Sequence, residues 1–190
     1  MNFDTLNGFK EVAGIHYRGS HDLSGHQKVS GKNMEVFYDG KKILPHVLEL
    51  SFGVDRNVWM LLDLFYAIGK EGSMLKFPPN LAPVKAAIIP IVKKEEFEKI
   101  ARNIFDKLKE DFNVVYDSSG SIGRRYARND EIGTPYCITI DGDSITNKDV
   151  TIRNRDNQKQ IRVKVSELKE TIKRLIEGKI EFEKAGKLLK

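Results

Sequence analysis

The chain has 190 residues, 40% of them apolar, and 32 Lys+Arg against 27 Asp+Glu, for a net charge of +5. That length holds one large or two small domains with a real core, and no apolar run approaches the ~20 residues of a membrane span. The start, Met1-Asn2-Phe3-Asp4, has neither a basic nor an apolar leader region, so a cytoplasmic protein is expected.

The single cysteine, Cys137, excludes an internal disulfide. Histidines 16, 21, 26 and 46 have no cysteine partners at zinc spacing, and the five-residue recurrence of the first three does not share a helix face, so no metal site is expected. Charge is uneven: residues 1–77 hold 9 Lys+Arg and 9 Asp+Glu, residues 78–190 hold 23 and 18. Any basic partner surface therefore belongs to the C-terminal part, although so small an excess equally suits a solvated exterior.

Along the chain, Gly8-Phe9-Lys10-Glu11-Val12-Ala13-Gly14-Ile15-His16-Tyr17-Arg18 comes first, followed by Asp22-Leu23-Ser24 and His26. Glu11 reads either as a strand-edge carboxylate or as part of a site. Next, His46-Val47-Leu48-Glu49-Leu50-Ser51-Phe52-Gly53-Val54-Asp55-Arg56 alternates as a strand does. Positions i and i+2 share a strand face, so Glu49 and Ser51 stand together where an ammonium group could dock. Gly53 would let the backbone turn, and Arg56 opens the apolar run Val58-Trp59-Met60-Leu61-Leu62, where a guanidinium can stack on a base or pair with phosphate. The same residues taken alone also describe a strand-to-helix junction with a surface ion pair.

Pro78 and Pro79, within Gly72–Asn80, end the preceding pattern and place a boundary between units 1–80 and 81–190. After it come a strand over 84–92 interrupted by Pro90 and a helix with Phe97, Ile100, Ala101, Ile104 and Leu108 on one face. A short strand over 113–117, a Ser121-capped helix to Ile132, strands over 136–141, 150–154 and 160–165, and a helix from Ser166 follow. Strand-helix-strand crossovers need parallel neighbours and the closing hairpins need antiparallel ones, so the expected fold is α/β (α+β) with a mixed five-stranded sheet and flanking helices. Arg153 and Arg155, at i and i+2, could stack on splayed bases. Arg124 and Arg128, one turn apart, could hold phosphates or pair with Asp130 and Glu131, and the interleaved charges favour pairing.

Pro45 through Arg56 resembles motif 3 of the class II aminoacyl-tRNA synthetases in its glycyl form, with Leu50 where the family has proline. The 8–26 segment is similar to the family's upstream wording, with Phe9 in place of tryptophan. Leu81-Ala82-Pro83-Val84-Lys85, Gly120 through Tyr126, Asp130 through Pro135 and Val150 through Asp156 are similar to the anticodon-binding domain shared by the glycyl, histidyl, threonyl and prolyl synthetases. The resemblance covers nearly the whole chain. It implies the last part of the antiparallel catalytic sheet followed by an anticodon-binding domain, without the motif 1 and motif 2 segments.

On that resemblance Glu11, Glu49 and Ser51 would bind the glycine ammonium, Glu49, Gly53 and catalytic Arg56 would contact ATP, and Arg153 and Arg155 would contact tRNA-Gly. ATP with Mg2+ would serve as substrate, a partner portion would carry motifs 1 and 2, and the family is homodimeric. The chain alone would then be inactive. A non-catalytic nucleic-acid-binding relative, such as a DNA polymerase accessory subunit, remains the other reading.

Overall fold

In the computed structural model, residues 2–5, 8–69 and 72–189 are described, and they divide into two compact units, Met1–Leu64 and Phe65–Lys190. No helix among the described residues is long and apolar enough to cross a membrane.

The first unit contains β1 (Asn2–Thr5), β2 (Gly8–Glu11), β3 (Ala13–Gly19), α1 (His21–Ser30), β4 (Val36–Tyr38), β5 (Lys41–Ile43), β6 (Val47–Phe52) and α2, which runs from Val54 to Phe65. Its strands form three separate antiparallel pairs, β1 with β2, β3 with β6, and β4 with β5. The predicted alternation of β6 holds, and its register sets Gly14 opposite Ser51 and His16 opposite Glu49. One face of the β3–β6 pair is therefore polar. The other carries Ile15, Tyr17, Leu48, Leu50 and Phe52, each 61 to 70% exposed. Ala13 and Gly14 are the only buried residues among residues 8 and 10–64.

The second unit begins with the hairpin β7 (Tyr66–Gly69) and β8 (Gly72–Leu75). It continues through β9 (Ala86–Pro90), α3 (Glu95–Leu108), β10 (Val114–Tyr116), α4 (Ile122–Glu131), β11 (Tyr136–Ile140), α5 (Gly142–Asn147), β12 (Asp149–Asn154), β13 (Gln160–Lys164), α6 (Leu168–Ile176), a 3-10 turn at Phe182–Lys184 and β14 (Lys187–Leu188). The sheet order is β10-β9-β11-β12-β13-β14. β10, β9 and β11 run parallel, and β11 through β14 are antiparallel, so the expected mixed sheet is present.

Two layers cover it. Ile88, Ile138, Ile152 and Ile161 pack under Phe97, Ala101, Ile104 and Leu108 of α3 and Leu168, Ile172 and Leu175 of α6. On the opposite face Ala87, Ile89 and Cys137 meet Ile122 and Tyr126 of α4. The apolar period of α3 was readable because four of its five core-facing residues, Phe97, Ala101, Ile104 and Leu108, recur at helical spacing and are buried.

Three features differ from expectation. The sheet has a sixth strand, the two-residue β14, too short to leave a pattern. α5 was also missed, since six residues hold no periodicity, yet Asp141 and Ser144 form a capping box in which each accepts from the other's backbone N–H at 3.2 and 3.0 Å. Ser121 does occupy the N-cap position of α4, but its hydroxyl makes no capping hydrogen bond.

The segment 74–82 belongs structurally with the sheet. Met74, Phe77 and Ala82 are buried, and the Phe65 and Phe77 rings meet edge to face at 5.5 Å. Gly133, at φ +84°, lets this segment come close: a Cβ there would lie 2.6 Å from the Phe77 ring and 3.0 Å from the Leu75 carbonyl oxygen. Arg155 also donates to the Phe77 carbonyl at 2.8 Å. Burial of one large aromatic side chain contributes about 1.5–3 kcal/mol, and a hydrogen bond from a charged donor about as much. A polypeptide of residues 81–190 should accordingly be at least ~3 kcal/mol less stable than one of residues 65–190, as measured by urea unfolding.

Candidate functional site

In the first unit, Glu11, Val12, Ala13, Gly14, Ser51, Gly53, Val54, Asp55 and Arg56 line an open cavity of about 290 Å³. It forms where β3, β6 and the start of α2 meet, because Gly53 N–H donates to the Val12 carbonyl at 3.3 Å and Asn57 Nδ2 donates to Val12 and Gly53 carbonyls at 2.9 Å each. Arg56 Nη1 donates to the Glu11 carbonyl at 2.9 Å, which holds its guanidinium at the cavity wall. Four of the sequence-assigned residues, Glu11, Ser51, Gly53 and Arg56, thus line one pocket.

Glu49 is not among the lining residues. It shares the Ser51 face as predicted, but its carboxylate sits 3.2 Å from Arg18 Nη1, and Arg18 also pairs with Asp22. That pairing holds the Asp22 carboxyl below its usual range, mainly through the hydrogen bond from Arg18. The rationale for Gly53 also changes. Its φ is not in the left-handed region, and a Cβ would meet the Arg56 side chain at an ordinary 3.7 Å. Gly14 has the closer neighbours: a Cβ there would fall 2.3 Å from His16 Nε2 and 3.0 Å from Ser51 Oγ, so those two side chains would have to shift.

His16 and Arg18 were not assigned to this site. His16 lies opposite Glu49 and against Gly14, and Arg18 neutralises Glu49. Their signal was the i, i+2 parity of Gly14, His16 and Arg18 in β3, but the strand register needed to align it with Glu49 and Ser51 was not readable from one sequence.

In the second unit the structure places the two arginines expected to contact RNA, Arg153 and Arg155, in the interior. Arg153 and Arg155 do lie on the α4 side of the sheet, but they are 4% and 2% exposed. Arg153 forms a bidentate pair with Asp130 of α4, at 2.9 and 3.0 Å, and its guanidinium carbon lies 4.8 Å from the Tyr126 ring centroid. Arg155 donates to the Gly133 carbonyl at 2.7 Å and the Phe77 carbonyl at 2.8 Å, and pairs with Asp156. Both guanidinium groups are committed to holding the protein together, where no base can stack on them. Arg128 pairs with Asp117 at 2.7 Å rather than with Asp130 or Glu131, and it also donates to the Ser119 carbonyl at 2.7 Å. Arg124 is exposed, and no bond to it is seen among the described residues.

Residues 85–175, the sheet and helices just described, match the family pattern of an anticodon binding domain. The chain is also 45% identical over 170 residues to a glycine-tRNA ligase of Borrelia hermsii, covering 85% of this chain and 38% of that protein. Over most of its length this chain is similar to glycine-tRNA ligases. Glycine-tRNA ligases of Treponema denticola, 40% identical over 185 residues, and Clostridium kluyveri, 45% identical over 177, match 91% and 90% of the chain. The chain spans about two fifths of the length of these relatives, 38 to 41%. It corresponds to the C-terminal, anticodon-binding portion of a glycine-tRNA ligase.

Asp130→Ala should destabilise the protein by about 3–5 kcal/mol in urea unfolding, because it strands a buried guanidinium. Asp130→Leu combined with Arg153→Met should recover much of that loss, since it removes both charges. A second expectation concerns Cys137, whose thiol burial pushes up to about 12. The folded state then keeps its proton where the unfolded chain, near 9.0, has released it. This contribution to stability is constant below about 9 and falls as pH rises toward about 12. Thiol reagents at neutral pH should leave Cys137 unmodified until denaturant is added.

Proposed function

We propose that this chain acts in the cytoplasm as part of a glycine-tRNA ligase. Its second unit would engage the anticodon arm of tRNA-Gly, and its first would contribute contacts to glycine and ATP. The observation that carries the reading is the gathering of Glu11, Ser51, Gly53 and Arg56 around one cavity, on the same chain as an anticodon binding domain.

Glycine offers only an ammonium, a carboxylate and the lack of a side chain, so selection requires a small pocket with acceptor groups. Glu11 and Ser51 supply such acceptors at the cavity wall, and Glu49, on the Ser51 face, adds negative charge that Arg18 shares. Arg56 would stack on adenine or hold a terminal phosphate, opposing charge that builds as the amino-acid carboxylate attacks the α-phosphate. Mg2+ would ride on the ATP phosphates, where one or two protein carboxylates suffice.

The bare face of Ile15, Tyr17, Leu48, Leu50 and Phe52 supports a further portion of catalytic sheet packing against this unit. That portion would carry motifs 1 and 2, on the same polypeptide or a second one, and the assembled enzyme would be a homodimer.

The test is glycine-dependent pyrophosphate exchange in the enzyme that contains this chain together with such a portion. Glu11→Gln and Glu49→Gln should each raise KM for glycine about tenfold, on the scale of one charge-assisted contact, with little change for ATP. Arg56→Lys should do the reverse. Equal losses for both substrates in all three variants would contradict the assigned roles.

A further inference from the structure

Arg18 stands at an irregularity in the β3–β6 pair. Tyr17 pairs with Leu48 and Gly19 with Val47, so β3 carries an extra residue there and Arg18 has none opposite it. A bulge of this kind re-aims a side chain, and bulges gather beside functional sites for that reason. The chain then turns through Gly19, at φ +57°, and enters α1 at His21. That path brings Asp22, in the first turn of α1, back to the Arg18 side chain.

The guanidinium is divided unequally between two carboxylates. Its Nε and Nη2 both donate to Asp22, the Nη2 bond at 2.8 Å, in the two-point geometry that arginine makes with a carboxylate. Nη1 lies 3.2 Å from Glu49 Oε2, and no hydrogen bond between these two residues is seen among the described residues. The stronger claim on Arg18 is therefore that of Asp22, whose charge the helix N-terminus also favours.

The balance of charge gives this arrangement its meaning. Glu49 and Arg18 alone would cancel, and a cancelled pair has no net attraction for an ammonium ion. With Asp22 present the three groups keep one net negative charge, which a single ammonium balances. His16, opposite Glu49, and Ser51 are the other polar side chains on this face. No residue of α1 lines the cavity, so Asp22 acts from outside it.

We propose that Asp22 is a positioning residue for the amino-acid substrate: by taking up the Arg18 guanidinium it leaves the Glu49 carboxylate able to receive the glycine ammonium. Without Asp22, Arg18 closes on Glu49 and the site loses its charge. This role rests on the proposed glycine-site reading and extends that site to α1.

The experiment follows glycine-dependent pyrophosphate exchange in the enzyme that contains this chain together with a portion carrying motifs 1 and 2, and reads KM for glycine and for ATP separately. Asp22→Asn should raise KM for glycine about threefold, on the scale of one surface charge, with little change for ATP. Adding Arg18→Gln to Asp22→Asn should return KM for glycine to about its unaltered value, because Glu49 then has no cation beside it. A merely structural role for Asp22 in seating α1 gives no such recovery, since the second change removes the other half of the same contact. Glu49→Gln is measured alongside. If Glu49→Gln raises KM for glycine but Asp22→Asn does not, or if Arg18→Gln brings no recovery, the role of Asp22 is overturned while the glycine site stands. If Glu49→Gln leaves KM for glycine unaltered, the glycine-site reading falls and the role of Asp22 falls with it.

Discussion

The pair between Arg153 and Asp130 decides where α4 sits. Both side chains are 5% exposed, so each charge depends on the other for neutralisation, and the bidentate geometry fixes the helix against β12 in rotation as well as distance. Everything that α4 in turn positions inherits that placement. Arg125, in the middle of the helix, can then bridge Pro90 and Gly120, and Arg128 can reach Asp117. The Gly133 turn after the helix lands where Arg155 can join it to Phe77. A single ion pair thereby aligns the strand-end loops at one end and the incoming chain at the other.

The two units stand on different physical footings. The second buries apolar residues on both faces of its sheet and needs polar interactions only to choose one arrangement. The first exposes Ile15, Tyr17, Leu48, Leu50 and Phe52 on one strand face, and among residues 8 and 10–64 buries only Ala13 and Gly14. Its cavity is built from backbone hydrogen bonds and short side chains around Gly53 and Val12 rather than from a core.

Periodicity made α3, α6 and the strands of the mixed sheet legible, because burial on a helix stripe or a strand face leaves a repeat in the sequence. The likeness of residues 45–56 to a nucleotide-site motif likewise placed Ser51, Gly53 and Arg56 where the cavity forms. What could not be read was the partner of each charge. Arg153 and Arg155 look like surface cations in a basic strand, and only the return of α4 to within 3 Å of that strand makes them interior. Glu49 likewise looks free until strand pairing brings Arg18 beside it. A one-dimensional pattern reports which face a residue occupies, whereas the fate of a charge depends on contacts between distant segments.

Gly133 carries a consequence for how this sequence can drift. Its backbone angle penalises any side chain, and the space a Cβ would need is taken by both the Phe77 ring and the Leu75 carbonyl. Shrinking Phe77 would remove one obstacle, but the carbonyl belongs to the main chain and no substitution deletes it. Two independent changes therefore cannot rescue a third at this position. Compensatory evolution, which commonly rescues tight packing between side chains, has no route here short of moving the backbone itself.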